Sequence, residues 1–223
     1  MKEVSLPQSL KEIKEMTFYE CKSLSTIDIP KNITYIGTGA FIGCSKLESI
    51  KLPDSIMKIG NSLFSGCSEL REVVLPETLT NIEDATFYEC KSLSFIQLSN
   101  STERIGDYTF GGCTKLSEIN LSNSINQVGI DCCEGTEWLK KLPMDSNGLK
   151  YYRHILSQAK DSVEEITLLQ NITVIAGGAF RGDDKLKSII LPLGLKYIGG
   201  YTFADCISLE NIVLPETVEY IGV

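Results

Sequence analysis

Apolar and polar positions along this chain form a block that returns every 23 residues. The stretch from Ala40 to Gly60 carries it whole, as F-x-x-C-x-x-L-x-x-I-x-L-P-x-S-I-x-x-I-G. Phe18, Phe41, Phe64, Phe87 and Phe110 mark successive copies, and Phe180 and Phe203 mark two more. In each copy two aliphatic residues alternate with polar ones, as at Ile27 and Ile29 between Thr26 and Asp28. That period of two predicts a short strand with the aliphatic side chains inside and the polar ones outside. Ile50/Leu52, Val73/Leu75, Ile96/Leu98, Ile119/Leu121, Ile166/Leu168 and Ile189/Leu191 repeat the pattern. Proline follows in most copies (Pro30, Pro53, Pro76, Pro192) and sets the end of the strand, because it has no N–H for a ladder.

Three further expectations follow from the block. The small polar residue two places after the proline position (Asn32, Ser55, Thr78, Thr217) is expected to bond turn backbone inside its own coil, since buried backbone groups need partners. The glycine after the paired aliphatics (Gly37, Gly60, Gly106, Gly129, Gly199) suggests a corner with an unusual backbone angle, though Lys14, Glu83 and Ala176 stand there in other copies. Phe and Cys three apart fit one helical or 3₁₀ turn with both side chains inward.

The register breaks once. After Val128-Gly129 the Phe position is Cys133 and the Cys position is Thr136, while Leu139 stays in phase. The block resumes at Ile166. Between lie Trp138, Pro143, the hairpin-turn pair Asn147-Gly148 and Tyr151-Tyr152. Residues 129–165 therefore read as an atypical coil with added strand pairing.

A fixed period of this length with leucines at these offsets is the signature of a leucine-rich repeat. The expected architecture is a right-handed superhelix of about nine coils, with short parallel β-strands, 3₁₀ or helical turns and one irregular coil bearing a hairpin. Stacked repeats share a core, so 1–223 reads as a single domain, regular over 1–128 and 166–223. The chain opens and stops in mid-pattern, at Val4-x-Leu6-Pro7 and Ile221-Gly222-Val223, as a fragment of a longer protein would.

Composition narrows the partners. A net charge of −8 disfavours nucleic acid and anionic membranes, which need a basic face. No run of about 18 apolar residues is present to insert in a membrane.

The pattern I-x-L-P-x-S/T-h-x-x-I-G-x-x-A-F-x-x-C-x-x-L resembles the BspA-like, treponemal-type leucine-rich repeat over nearly the whole chain. The Trp138, Pro143, Asn147-Gly148 and Tyr151-Tyr152 segment resembles that family's variant coil. The resemblance implies a cell-surface or secreted protein that attaches to host or microbial proteins.

Catalytic chemistry is not evident in the residues. His154 is the only histidine, and no nucleophile motif or phosphate loop accompanies it. Cys21, Cys44, Cys67, Cys90, Cys113 and Cys206 occupy the inward repeat position without short-spaced zinc pairs, and read as free buried thiols. Cys133, in the adjacent pair Cys132-Cys133, reads as core filling, and Asp183-Asp184 as solvated carboxylates. No metal or cofactor is expected.

The outward row of the sheet is free of packing duty. It runs from Glu3/Ser5 and Thr26/Asp28 through Ser49/Lys51 to Ser188/Ile190 and Asn211/Val213. Within it Val74 and Phe95 form an apolar pair on adjacent coils, rimmed by Glu72, Gln97, Glu118 and Asn120. These six residues are the candidate protein-binding patch. The segment from Trp138 to Leu156 competes with it, because interruptions in repeat arrays often mark binding elements. Two functions fit: a non-catalytic adhesion or protein-recognition module, or a passive spacer in a larger surface protein.

Overall fold

The computed structural model describes residues 2–160 and 163–222. The chain divides into two compact units, Met1–Ile125 with Cys132–Lys141, and Asn126–Asp131 with Leu142–Val223. Each is a stack of coils of parallel strands, and the only helix among the described residues is the five-residue Glu137–Lys141.

The first unit holds the strands Glu3–Ser5, Thr26–Asp28, Ser49–Lys51, Glu72–Val74, Phe95–Gln97 and Glu118–Asn120, one per coil. They pair in parallel in twos, with partners 23 residues apart: Glu3 with Thr26, Ser49 with Glu72, and Phe95 with Glu118. A second row of two-residue strands follows each proline turn, for example Tyr35–Ile36 beside Lys58–Ile59. The alternation seen in the sequence is the burial pattern observed: Thr26 and Asp28 are exposed and Ile27 is buried. Ile29, Val73 and Leu75 are only half-buried, whereas Leu52 and Leu98 are fully enclosed.

The phenylalanines form one column through this core. Phe18, Phe41, Phe64, Phe87 and Phe110 stack with ring centroids 5.3–5.7 Å apart and planes within 17°. All but Phe18 are completely buried. Offset stacking at this spacing is favourable beyond the area buried.

The turn segment is not a run of 3₁₀ helix. It is a chain of separate i→i+3 turns, such as Tyr19 N–H to Met16 O and Cys21 N–H to Phe18 O. Left-handed residues interrupt it at two positions per coil, Met16 and Glu20, Gly39 and Gly43, Ser62 and Gly66, Ala85 and Glu89, then Tyr108 and Gly112. The intervening amides turn along the stack and donate to the next coil, Phe18 N–H to Ala40 O at 2.8 Å and Phe41 N–H to Leu63 O at 3.0 Å. Buried backbone is thereby satisfied without a helix.

The glycines at the predicted corner have ordinary negative-φ or extended backbone, which corrects the sequence reading. Their requirement is space. A Cβ at Gly60 would lie inside the contact shell of the Thr38 amide nitrogen and 2.6 Å from the Thr38 Cα. The polar residues after proline also act differently from expectation. Thr78 Oγ1 donates to Ile56 O at 2.7 Å, and Asn32 Nδ2 to Gln8 O at 2.8 Å, so they tie each coil to the one before it.

In the second unit, strands Glu165–Thr167, Ser188–Ile190 and Asn211–Ile212 pair in parallel at the same register. Phe180 stacks on Phe203 at 5.5 Å within a cluster that includes Leu168, Ile172, Leu186 and Leu195. The expected hairpin is present as Leu149–Tyr152 against Ile155–Ala159, antiparallel, with Ile155–Leu156 continuing in parallel onto Val174–Ile175. Asp145 rather than Asn147 organises its entry, accepting N–H bonds from Asn147 and Leu149 at 2.8 and 2.9 Å. The irregular segment continues through Asp161 and Ser162, which lie outside the described residues, as does Val223.

Candidate functional site

All six patch residues lie on one face of the first unit and all are exposed. Phe95 is 45% exposed and Val74 41%, on a row otherwise polar from Glu3 to Asn120. Glu118 stands opposite Phe95, and Asn120 opposite Gln97, in a parallel ladder. The Asn120 amide donates to Gln97 Oε1 at 2.7 Å, and Gln97 Nε2 donates to Leu98 O at 2.9 Å. Those amides are therefore tied to each other and to the strand backbone on the same outward row as Phe95.

Sequence reasoning did not anticipate that the ladder lapses here. Among the described residues, Glu72–Val74 pairs with Ser49–Lys51 on one side, but not with Phe95–Gln97 on the other, and the same interruption separates Thr26–Asp28 from Ser49–Lys51, so the row is built of strand pairs. In repeat register Val74 faces Gln97, and Phe95 faces Glu72, so the two apolar side chains are diagonal neighbours across the lapse. The result is an aliphatic and aromatic patch with carboxylates of Glu72 and Glu118 on its rim.

The second unit has its own apolar surface on the corresponding row, Ile190 at 62% exposed and Val213 at 81%, with Leu193 nearby at 77%. Ile190 and Val213 already stood in the outward row as the sequence defines it, so the signal was available there.

The cysteines are structural. All eight are free. Cys67 Sγ donates to Phe41 O at 3.2 Å, and Cys44, Cys90, Cys113 and Cys206 make the same bond to Phe18, Phe64, Phe87 and Phe180. The thiol thus fills core volume and partners a carbonyl 26 residues back. Burial pushes the Cys113 thiol up to about 12, far from the reactive range. A folded-state value above the unfolded one stabilises fully below about pH 8.5 and loses that contribution as pH rises towards 12, by about 1 kcal/mol per pH unit for this thiol. Denaturant midpoints from pH 8 to pH 10.5 are expected to fall less steeply in Cys113→Ala than in the parent protein.

Cys132 and Cys133 lie with their sulfurs 3.5 Å apart in the core, at the coil where the aromatic column gives out. Trp138 is buried there, on the short helix whose first turn Thr136 Oγ1 caps by accepting from Leu139 N–H at 3.1 Å. Asp183 accepts from the Lys185 and Leu186 amides and so caps a turn. No group of three or more metal-ligating side chains occurs among the described residues. His154 is half-buried, with its carbonyl accepting from Thr173 N–H at 3.0 Å. No helix among the described residues is long and apolar enough to cross a membrane.

Fold and repeat define a leucine-rich-repeat solenoid. The profile of the BspA type leucine rich repeat region matches six copies over residues 1–88, 40–160 and 156–223, and the chain belongs to that family. Repeats of this kind generally mediate protein–protein contact and are generally non-catalytic. No curated protein sequence matches the chain significantly. Among solved structures, a leucine-rich repeat protein from Bacteroides ovatus is 25% identical with a TM-score of 0.62, covering 98% of this chain and 62% of its own. A leucine rich cell surface protein from Faecalibacterium prausnitzii is 20% identical with a TM-score of 0.59, covering 99% and 77%. The pneumococcal vaccine antigen PcpA is 24% identical with a TM-score of 0.57, covering 97% and 51%. The chain thus spans less than two thirds of the Bacteroides and pneumococcal proteins, and the latter two likenesses are of fold.

Proposed function

We propose that this chain is a non-catalytic adhesion and protein-recognition module at a cell surface or in secreted form. It binds a host extracellular or microbial surface protein through Val74 and Phe95, with Glu72, Gln97, Glu118 and Asn120 as the rim. One observation carries the reading: an exposed aromatic and an exposed aliphatic lie diagonal to each other on adjacent coils, on a row that is otherwise polar from Glu3 to Asn120. Solvation alone favours polar residues there, and a buried aromatic anchor inside a polar rim is how interfaces concentrate binding energy. Family membership and the described surface location of the Faecalibacterium protein support the placement. In this proposal residues 1–223 act as one repeat domain.

The test is solid-phase binding to a panel of extracellular-matrix proteins. The parent protein is expected to bind at least one, and Phe95→Ala with Val74→Ser to weaken that binding by tenfold or more. Raising salt is expected to weaken it further if the Glu72 and Glu118 carboxylates meet a basic partner. Binding to no panel member favours the spacer reading, and equal binding by the double variant moves the site elsewhere.

A further inference from the structure

Two segments of the first unit are identical over nine residues: Thr17–Ser25 and Thr86–Ser94 both read Thr-Phe-Tyr-Glu-Cys-Lys-Ser-Leu-Ser. They lie three coils apart on the turn side, away from the patch above. The two coils between them differ at the outward positions. Where the outer pair have Tyr, Glu and Lys, the inner pair have Ile42 or Ser65, then Gly43 or Gly66, then Ser45 or Ser68. Large side chains on the flanks and small ones between make a trough of about 340 Å³. At about 4.8 Å per coil its walls stand about 14 Å apart.

The chemistry of the trough is specific. Tyr19 and Tyr88 are 52% and 40% exposed. The Tyr88 ring rests on Gly111, where a Cβ would come within 3.1 Å of it, so the ring is braced from outside and stands as a wall. Glu20 and Glu89 adopt left-handed φ of 56° and 60°, at the position where Gly43, Gly66 and Gly112 meet the same requirement without a side chain. Asp205 holds the same conformation at the equivalent place in the second unit, so this position admits an acidic side chain as well as glycine. The Glu20 carboxylate leans over Gly43 into the trough, whereas the Glu89 carboxylate leans over Gly112 on the coil beyond it, so Glu20 supplies the carboxylate that faces the trough floor. Each carboxylate is already neutralised, Glu20 by Lys22 at 2.8 Å and Glu89 by Lys91 at 2.6 Å. The trough has hydrogen-bonding capacity and a flat aromatic wall without net charge.

We propose that this trough binds an uncharged carbohydrate one or two pyranose rings long. An apolar C–H face of a sugar ring stacks on Tyr88, and its hydroxyls donate to the free lone pairs of Glu20 and exchange hydrogen bonds with Ser45 and Ser65. A charged ligand would have to displace an existing ion pair. The volume lies at the small end of ligand sites, and the site is shallow, so affinity in the millimolar range is expected.

The experiment is saturation-transfer-difference NMR on the whole 223-residue protein with lactose, N,N′-diacetylchitobiose and galacturonic acid. At least one neutral disaccharide is expected to receive saturation, and galacturonic acid to receive less. Tyr88→Ala and Ser65→Trp, the second filling the trough, are each expected to reduce the signal at least tenfold, with circular dichroism and melting unchanged in Tyr88→Ala. Phe95→Ala is expected to leave it intact, so this site and the protein-binding patch stand or fall separately. No saturation of either disaccharide, preference for the acid, or an undiminished signal in Tyr88→Ala would overturn the proposal.

Discussion

Gly60→Ala is expected to destabilise the first unit more than any other single-methyl addition, by about 2–3 kcal/mol. The reason is what surrounds the added carbon. Its nearest neighbours are the amide nitrogen and Cα of Thr38 and the carbonyl carbon of Gly37, at 2.7 Å. Backbone held by ladder bonds on both sides cannot rotate away as a side chain can, and Gly60 N–H itself donates to Ile36 O at 2.8 Å. Relief therefore means moving two coils apart, which loosens the hydrogen bonds and packing between them. Gly66→Ala is the informative contrast. There φ is +73° but the nearest atoms are 3.7 Å away, so only the left-handed strain remains, about 1–2 kcal/mol. Parallel denaturant melts of the two variants check the ordering. A Gly66 variant less stable than the Gly60 variant would mean that φ, not the coil spacing, governs these glycines.

Phe64→Ala is expected to cost about 3–5 kcal/mol. Phe64 is fully buried and is the middle ring of the column, stacked on Phe41 and Phe87 at 5.7 Å each. Its removal opens a cavity whose walls are themselves pinned by inter-coil bonds, such as Phe64 N–H to Thr86 O at 2.8 Å, so collapse is limited. Because repeats couple chiefly to their neighbours, the loss is expected to be local. Hydrogen exchange should rise most in Ser49–Lys51 and Glu72–Val74, and least in Asn211–Ile212. Uniform loss of protection across all strands would show instead that the chain unfolds as one cooperative block.

The candidate patch was legible only in part. Alternation placed Val74 and Phe95 outside, because a period of two leaves no choice once Val73 and Ile96 face the core. It carried no information on the lapse between their strands, nor on Leu75 coming halfway to the surface, since both depend on how two whole coils settle against each other. The sugar-sized trough was legible in its residues but not in its shape. Tyr19 and Tyr88 are far apart in the chain, and only stacking puts Gly43 and Gly66 between them.

By itself the sequence determined the period, the strands, the inward column of rings and thiols, and the one irregular coil with its hairpin. Those are set by which side chains shun water and by proline's missing N–H, both properties of a residue and its near neighbours. Tertiary structure decided the rest: that Gly60 answers to the backbone of the coil before it, that Thr78 bonds across coils, that left-handed residues fall at Glu20 and Glu89, and where the ladder lapses. The Gly60 and Thr78 relations are distances between residues 22 or 23 apart in the chain, and the left-handed torsions answer to the bonds between coils, so all of them exist only once the coils are stacked.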